Sequence, residues 1–599
     1  MKVREEIPEK YTWDLTPIFE STEAFERAYE EIDPLLQKAV SYSGRLLESP
    51  RTLKEALEES LELVRRIKNL YVYASLNSSL DTSDTDAQSR LLRMQGLVAH
   101  VSSSLAFFEP ELLSASKEEV ADLIDQDEGL ELYRQYLDNI LRNKDHVLSE
   151  KEERLIASLS EVTSAPERIF SLLDDADFTF PSVKDSQGKD VPMSQGTFIR
   201  HLESRDRMLR ENAYRGFYSV YLDHKNALGS TLQASVKYQS IMAKLRSFPS
   251  ARAAALHENN IPESVYDNLI SSVHKANSAM YKYLRLRREK LGVEKLRFYD
   301  VYVPLIDEVD MEIPFEEAKD IVIEAMAPLG EEYQTILKRA FEERWIDVYE
   351  TKGKRSGAFS SGTYDTPPYL LLNYQPNLDN VFTLAHELGH SMHTFLTAKN
   401  QPPVYGDYSI FLAEIASTFN EALLTRYYLD KLTDPAQRLY VINHQLDSIK
   451  GTIFRQTMFA EFERNINALS EAGESLTHER LAIEYEKLLK EYFSDEVLID
   501  EEIRYEWSRI PHFYFNFYVF QYATGLSAAM AFAKKILDGE EGALEKYLGF
   551  LKSGSSKYPV ELLKEAGVDM SDPSTVDAAL SVFVELVDEF EALLKELEG

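Results

Sequence analysis

The sequence predicts a mainly helical protein with a small β-sheet beside one helix suited to bind a metal ion. Long stretches carry apolar residues three and four positions apart, which is the spacing of an amphipathic helix. Strand signals are few and short, and the segment HELGH at residues 386–390 lies within a helical stretch. These observations together indicate an α-helical fold in which a small β-sheet lies next to a candidate metal-binding helix.

The helical stretches begin near the start of the chain, where Ser21 and the pair Ser49-Pro50 are favourable helix-start residues. We expect helices over about residues 21–38, 53–74, 86–108, 150–173, 193–243 and 262–290. We predict that residues 1–195 form a helical N-terminal region and that residues 196–599 form a second, larger region that carries HELGH.

Two pieces of β-structure are predicted among these helices. Residues 178–180 and Val191 flank a polar turn at 184–189, which predicts a hairpin. Residues 357–360 and 369–374 predict two strands shortly before HELGH, separated by a break that contains glycine and proline. The second pair would form the small sheet beside the metal-binding helix.

Composition excludes several classes of protein. The chain of 599 residues has a formal net charge of −35, so neither nucleic acid nor an anionic membrane is an expected partner. It contains no cysteine, which excludes disulfides and thiolate ligands. Its first residues lack the apolar core of a signal peptide, and we expect a cytoplasmic protein. The uncharged stretch 513–533 contains several polar residues, which favours a buried helix over a membrane span.

A candidate zinc site lies on the helix predicted to start near Asn377. His386 and His390 are four residues apart, which places both imidazoles on one helical face as two ligands of one ion. Glu387 follows the first histidine and can reach a metal-held water rather than the metal. A catalytic zinc site needs a third protein ligand and leaves the fourth position to water.

The third ligand is expected from the next predicted helix. Glu414 stands among apolar residues, where a bare carboxylate is costly unless it is paired or bound to metal. Glu421 lies two turns further along the same face and is expected to accept the free N–H of a ligand histidine. His393 and Leu396 stand where a metzincin requires glycine and histidine, which excludes that class. His393 is an alternative ligand, although its extra turn carries it away from the ion.

With HELGHSMH followed by FLAEIASTFNE, the sequence resembles the thimet oligopeptidase superfamily and is most similar to its bacterial oligoendopeptidase F branch. Other blocks extend the resemblance over essentially the whole chain: YTWDL at 11–15, SGAFSSG at 356–362, TIFRQTMFAEFE at 452–463, PHFY at 511–514 and FYVFQYATG at 517–525. The resemblance implies a two-lobed helical ellipsoid with a deep channel. Zinc would lie at the channel floor, where only short unfolded peptides reach it.

At matching positions, the resemblance implies one zinc ion bound by His386, His390 and Glu414. It makes Glu387 the general base and Glu421 the residue that supports a ligand histidine.

Family members also use a histidine and tyrosines further along the chain to hold the substrate and stabilise the oxyanion. The matching residues here are His512, Tyr518 and Tyr522. The mammalian branch has a glycine-rich loop between its histidine and first tyrosine, whereas this chain has FYFNF at 513–517 and a spacing that differs by about one residue. Tyr514 is therefore an alternative donor.

These residues predict hydrolysis of internal peptide bonds by zinc-activated water, with Glu387 moving the protons. The backbone of Gly357, Ala358 and Phe359 is expected to bind an extended peptide by β-addition.

Two other classes of protein compete with this interpretation. A helical zinc carboxypeptidase or dipeptidyl carboxypeptidase would need a cation for the free C-terminal carboxylate, and Arg455 and Arg504 are candidates. A non-catalytic peptide-binding protein with structural zinc would close the fourth metal position with another histidine or a cysteine.

Overall fold

The computed structural model describes residues 2–306 and 311–598 and confirms a mainly helical protein. Helix accounts for 71% of the chain, and the strands in the described ranges form one three-stranded sheet and two strand pairs. Among these residues, no helix combines the length and apolar character needed to span a membrane. The uncharged stretch predicted to be a buried helix falls largely on Phe520–Leu537, in which residues 523–533 are all buried.

The chain folds into two compact units, each assembled from three separate stretches. Unit 1 comprises Met1–Asp145, Met311–Tyr427 and Phe532–Gly567, and unit 2 comprises His146–Asp310, Tyr428–Ala531 and Val568–Gly599. The first division falls after residue 145, so neither unit coincides with residues 1–195. A separate N-terminal region ending near residue 195 stays a prediction.

Unit 1 is built on the helix Pro50–Leu80, whose apolar face packs into a core with Phe25, Leu36 and Met94. The helices that lie in this unit or begin in it are Thr22–Glu30, Ile32–Val40, Pro50–Leu80, Thr85–Ser104, Phe108–Ser114, Lys117–Gln126, Arg134–Leu141, Phe315–Ala325, Gly330–Glu342, Leu378–Asn400, Ile410–Lys431, Ala543–Leu551 and Pro559–Glu565. The predicted stretch 21–38 is two helices in the structure, separated at Glu31.

In unit 2, the helix Glu263–Leu291 packs along the helix Pro573–Glu598 through edge-on contacts of Tyr283 with Phe583 and Phe590. The helices that lie in this unit or begin in it are Glu150–Ser158, Ser160–Thr163, Ala165–Leu172, Gln195–Leu202, Arg207–Asp223, Lys225–Leu245, Ala251–His257, Glu263–Leu291, Pro435–Ile449, Arg455–Glu471, His478–Phe493, Phe520–Leu537 and Pro573–Glu598.

The three-stranded sheet lies in unit 1, where Tyr369–Leu371 is its central strand. Phe359–Ser361 pairs with it antiparallel on one side, and Ile346–Asp347 pairs with it parallel on the other. The structure therefore confirms the two strands predicted before HELGH and adds a third. Phe359–Ser361 is an edge strand, so one side of its backbone is not used by the sheet.

Two strand pairs lie in unit 2. Val183–Lys184 and Asp190–Val191 form the predicted hairpin around its polar turn. The first strand starts after Pro181 rather than at residue 178, because proline has no N–H for a ladder. Leu296–Arg297 pairs parallel with Val497–Leu498, which the sequence did not predict.

Candidate metal centre and active site

The helix Leu378–Asn400 carries HELGH and is named the motif helix. The side chain of Asn377 caps it by accepting a hydrogen bond from the Asn380 amide at 3.0 Å, which agrees with the helix start predicted near Asn377. Leu384, Ala385 and Leu388 are fully buried, whereas the imidazoles on the same helix keep part of their surface open. With the apolar face of the helix buried, the imidazoles of His386 and His390 both stay partly exposed.

Among the described residues, one group of side chains has the geometry of a metal site, and it consists of His386, His390 and Glu414. Their candidate ligand atoms all lie within 4.8 Å of one another. The Glu414 carboxylate oxygen Oε2 is 3.4 Å from Nε2 of His386 and 3.5 Å from Nε2 of His390. These are the three residues predicted from the sequence as zinc ligands, and they are here named the metal group.

Glu414 comes from the helix Ile410–Lys431, here named the glutamate helix, which packs very closely against the motif helix. A Cβ atom at Gly389 would lie 2.5 Å from the carbonyl oxygen of Ala416, so any larger residue would push the helices apart. Ser417 is fully buried and donates a hydrogen bond to Glu414 Oε2 at 3.0 Å. Gly389 therefore sets the distance over which Glu414 reaches the histidines.

The sequence interpretation missed Gly389 and a second contact between the same helices. The fully buried Asn420 donates from Nδ2 to the carbonyl of Ala385 at 3.0 Å, and its Oδ1 accepts from the hydroxyl of Tyr333 at 3.2 Å. A polar residue within an apolar helix segment is the signal that could have identified this contact.

Each candidate ligand histidine has a partner on the glutamate helix. Nδ1 of His386 lies 2.5 Å from Oε1 of Glu421, which is the contact predicted for Glu421. Burial alone would lower the pKa of His386, but this hydrogen bond and the negative charges of Glu421 and Glu414 raise it to about 9. Burial and the nearby His386 charge lower the pKa of His390, whose backbone partner is Ala413. Both imidazole rings are thus held in orientation by hydrogen bonds to groups that are not themselves candidate metal ligands.

Glu387 lies beside the ligands and is buried, with 7% of its surface exposed. Burial raises the pKa of its carboxyl to about 7, and a backbone hydrogen bond from Ser360 opposes that rise. Its Oε2 has no hydrogen-bond partner in the described structure. The Ser360 hydroxyl also lies 2.8 Å from the Ser391 hydroxyl, which donates to the Glu387 carbonyl at 3.0 Å. The edge strand therefore supports this glutamate directly.

His393 does not join the metal group. Its ring is fully buried and stacks on Tyr408 with the centroids 3.7 Å apart, and burial lowers its pKa to about 3. The alternative of His393 as third ligand is therefore not supported by the geometry.

The edge strand differs in detail from the predicted peptide-binding segment. The amide of Leu370 donates to the carbonyl of Trp345, so the backbone groups of Leu370 point toward the parallel strand. Because this direction alternates from residue to residue, the backbone groups of Phe359 and Ser361 are the ones that bond to the central strand. Ser360 is then the strand residue whose backbone faces outward. The Phe359 side chain packs in the apolar cluster beneath the sheet, and Gly357 adopts a φ of +83° just before the strand. Phe359 is thus half-buried with its backbone turned to the central strand, and the role of Gly357, Ala358 and Phe359 in peptide binding stays a prediction.

His512, Tyr518 and Tyr522 lie together in unit 2. The hydroxyl of Tyr522 is 3.4 Å from Nε2 of His512, and the Tyr518 ring centroid is 6.0 Å from that of His512 and 5.5 Å from that of Tyr522. Burial lowers the pKa of His512, which favours its neutral form. The structure therefore brings the three predicted donors into one group, here named the donor cluster.

Tyr514 does not belong to the donor cluster. It is 8% exposed, its hydroxyl bonds to the Thr231 hydroxyl at 2.8 Å, and its ring stacks on Phe170 with centroids 4.7 Å apart. This environment makes Tyr514 a packing residue and removes it as the alternative donor.

Two histidines and a glutamate that converge beside a buried glutamate carboxyl form the kind of site found in metallopeptidases. The model of peptidase family M3 matches residues 200–582, and a model described as oligopeptidase F matches residues 111–180. The chain belongs to peptidase family M3. The metalloendopeptidase class predicted from the sequence is thereby confirmed.

Named relatives agree with the predicted oligoendopeptidase F branch. The chain is 45% identical to oligopeptidase PepF of Bacillus subtilis, over 99% of this chain and 89% of that protein. It is 44% identical to group B oligopeptidase PepB of Streptococcus agalactiae, over 99% and 98% of the two chains. The crystal structure of oligoendopeptidase-F from Enterococcus faecium matches with a TM-score of 0.75 and 40% identity, covering 96% of this chain and 99% of that chain.

Proposed function

We propose that this protein is a zinc-dependent oligoendopeptidase that hydrolyses internal peptide bonds of short, unfolded peptides. The observation that carries the proposal is the convergence of His386, His390 and Glu414 within 4.8 Å, with Glu387 buried next to them. Two imidazoles and one carboxylate form the ligand set of catalytic zinc sites in thermolysin-like enzymes. The family requires a metal, and this donor set fits zinc, one ion per chain.

Zinc, when bound by these ligands, supplies a Lewis acid that acidifies a water molecule and polarises the scissile carbonyl. Glu387 takes the proton of the attacking water and passes it to the departing amine. Its pKa of about 7 belongs to the metal-free protein, and the charge of a bound zinc ion lowers it, which favours the carboxylate form that accepts the proton. The hydrogen bond from the Ser360 amide holds this carboxyl in place for both transfers.

The donor cluster supplies the hydrogen bonds that the developing oxyanion needs. Tyr518 and Tyr522 carry phenol donors, and His512 carries an imidazole whose Nε2 lies 3.4 Å from the Tyr522 hydroxyl. Such donors stabilise negative charge that forms only in the transition state. The family resemblance supports this role, since the three residues occupy the matching positions.

The edge strand Phe359–Ser361 holds the substrate by backbone pairing, with Ala358 and the outward carbonyl of Ser360 as the contact points, because the Ser360 amide already donates to Glu387. Backbone pairing is largely indifferent to side chains, so broad sequence specificity is expected.

Endopeptidase action is favoured over carboxypeptidase action because the two candidate cations are already engaged. Arg455 donates to the buried Glu506 at 2.6 Å, and Arg504 forms ion pairs with Glu479 and Glu486. Neither guanidinium is left to hold a free C-terminal carboxylate. The names of the relatives, which include oligoendopeptidase F, point the same way. The cytoplasmic location stays a prediction.

Substrate size tests the proposal. A folded protein must unfold locally before an extended segment can enter the deep channel that the family resemblance implies, which costs up to its stability of about 5–15 kcal/mol. We expect cleavage of peptides of roughly ten residues that are blocked at both ends, and no cleavage of native globular proteins over the same interval. A blocked peptide and the folded and unfolded forms of one protein are followed by mass spectrometry. Efficient cutting of the folded form would indicate a general proteinase, and failure on blocked peptides would indicate an exopeptidase.

A further inference from the structure

The loop between His512 and Tyr518 has an unusual backbone. Asn516 and Phe517 adopt φ angles of +45° and +57°, which lie in the left-handed region that disfavours residues with a Cβ atom. Asparagine tolerates this region, but a phenylalanine there requires a specific cause. Phe517 is also 2% exposed, so its conformation is fixed inside the protein rather than at the surface.

Glu463, on the helix Arg455–Glu471, provides that cause. Its Oε1 accepts a hydrogen bond from the Phe517 amide at 2.5 Å, and the residue is 2% exposed. The Phe517 ring lies edge-on to Tyr266 with the centroids 5.7 Å apart, so backbone and side chain are both anchored. Burial raises the pKa of Glu463 to about 8, so the carboxyl is mostly neutral at pH 7. A neutral carboxyl at this position is close to the amide of glutamine in shape and hydrogen bonding.

The left-handed conformation of the loop determines where the next residue, Tyr518, is placed. Two consecutive left-handed residues reverse the chain, and Tyr518 returns beside His512 with the ring planes inclined by only 23°. Tyr522 follows in the first turn of the helix Phe520–Leu537. The geometry of the donor cluster is therefore determined by the conformation of residues 516 and 517.

We propose that Glu463 is a positioning residue for catalysis, because its contact with the Phe517 amide holds the loop that places Tyr518 and Tyr522 beside His512. This inference rests on the proposed function, which gives the donor cluster contact with the substrate. Glu463 itself acts through the loop and does not touch the substrate.

The test compares Glu463→Met, which removes the acceptor at similar volume, with Glu463→Gln, which keeps it. We expect Glu463→Met to lower kcat by roughly 10–100-fold with KM changed less than about threefold, because small displacements of catalytic groups have effects of this size. Glu463→Gln should stay within about threefold of the wild type. Zinc content should not change in either variant.

Glu461→Met is the matched control. Glu461 is a buried carboxyl on the same helix, but it accepts hydrogen bonds from His274 and Tyr492, at 2.7 and 2.9 Å, and not from the loop. Its loss should lower Tm without lowering kcat at a temperature where the protein is folded. An equal fall of kcat in Glu461→Met would overturn the inference, because general destabilisation would then explain both variants.

Hydrogen exchange of the metal-free enzyme gives a readout independent of activity. Peptides covering residues 512–519 should exchange faster in Glu463→Met than in the wild type or in Glu461→Met. Unchanged exchange, or faster exchange with unchanged kcat, would overturn the inference.

A second pair of variants covers the case in which Glu463→Met does not fold. Asn516 lies at the partly exposed part of the loop, where glycine accepts a positive φ and a β-branched valine resists it. Asn516→Val should lower kcat by about tenfold or more, and Asn516→Gly should not. Equal activity of the two would contradict the inference. Tyr522→Phe separates this result from the proposed function: if Tyr522→Phe leaves kcat unchanged, the Tyr522 hydroxyl is not an oxyanion donor, whatever Glu463 does to the loop.

Discussion

The metal group and the donor cluster are held in place by opposite means. His386, His390 and Glu414 stand on two long helices that approach through Gly389, so regular backbone hydrogen bonds fix their spacing. The donor cluster depends on a short loop with two left-handed residues and one buried contact at Phe517. Changes to the metal group should therefore show in metal affinity. Changes to the donor cluster should show in turnover at full metal content.

The largest effect is expected from Glu387→Gln, which tests whether this neighbour of the ligands moves protons rather than binding metal. The variant should retain zinc and lose up to roughly 10,000-fold in kcat, because an amide cannot take the proton of the attacking water. Zinc content by elemental analysis and steady-state kinetics check both halves. Wild-type turnover in a zinc-loaded variant would refute the assignment, and loss of zinc would make Glu387 part of the metal group.

Tyr522→Phe tests the donor cluster. The change removes one hydroxyl, so the fold and the zinc content should survive. If this hydroxyl meets the oxyanion, kcat should fall by roughly 100–1000-fold with little change in KM. A rise in KM alone would make Tyr522 a ground-state binding residue.

Glu414→Ala and Glu421→Ala separate the ligand from its support. Removing the Glu414 carboxylate should strip zinc from the protein, whereas removing Glu421 should weaken zinc affinity by roughly 10–100-fold. Competition with a chelator measures both affinities. The reverse order would exchange the two roles.

The smallest expected effect is a change in the number of protons released when zinc binds. His386 has a pKa of about 9 in the metal-free protein, so at pH 8 it is mostly charged, and a ligand imidazole must be neutral. Zinc binding at pH 8 should therefore release about one proton from His386, in addition to any proton given up by the zinc-acidified water, and apparent affinity should rise with pH up to about 9. Calorimetry in buffers with different ionisation enthalpies measures the release. Glu421→Gln removes the charge that raises this pKa, and an unchanged proton count in that variant would contradict the explanation.

The helical part of the site was predictable from the sequence because its signals are local. The four-residue spacing of the histidines, the cap at Asn377 and the apolar surroundings of Glu414 all follow from helix geometry. The contact of Gly389 with the Ala416 carbonyl was not predictable, because the residue spacing within each helix does not show where the two helices cross.

Other features were missed because their signals are short or misleading. The strands Leu296–Arg297 and Val497–Leu498 are too short to show alternation, and they pair far along the chain. Phe517 gave no sign of a left-handed conformation, since phenylalanine normally predicts strand or core. A strand pattern also does not reveal which backbone groups an edge strand leaves unpaired, so the peptide-binding role of Gly357, Ala358 and Phe359 stays a prediction.

The division of unit 1 into three stretches has a consequence for how the protein is made. The motif helix contacts a segment synthesised much later: the Thr397 hydroxyl donates to the carbonyl of Leu551, 154 residues further along. On the glutamate helix, Phe419 stacks on Tyr547 at 4.0 Å. At about 5–20 residues per second, a ribosome needs roughly 8–30 s to supply that segment after the motif helix has emerged. During this interval the nascent chain displays its histidines without their final packing, so a chain truncated before residue 532 should retain HELGH yet fail to complete the unit that holds it.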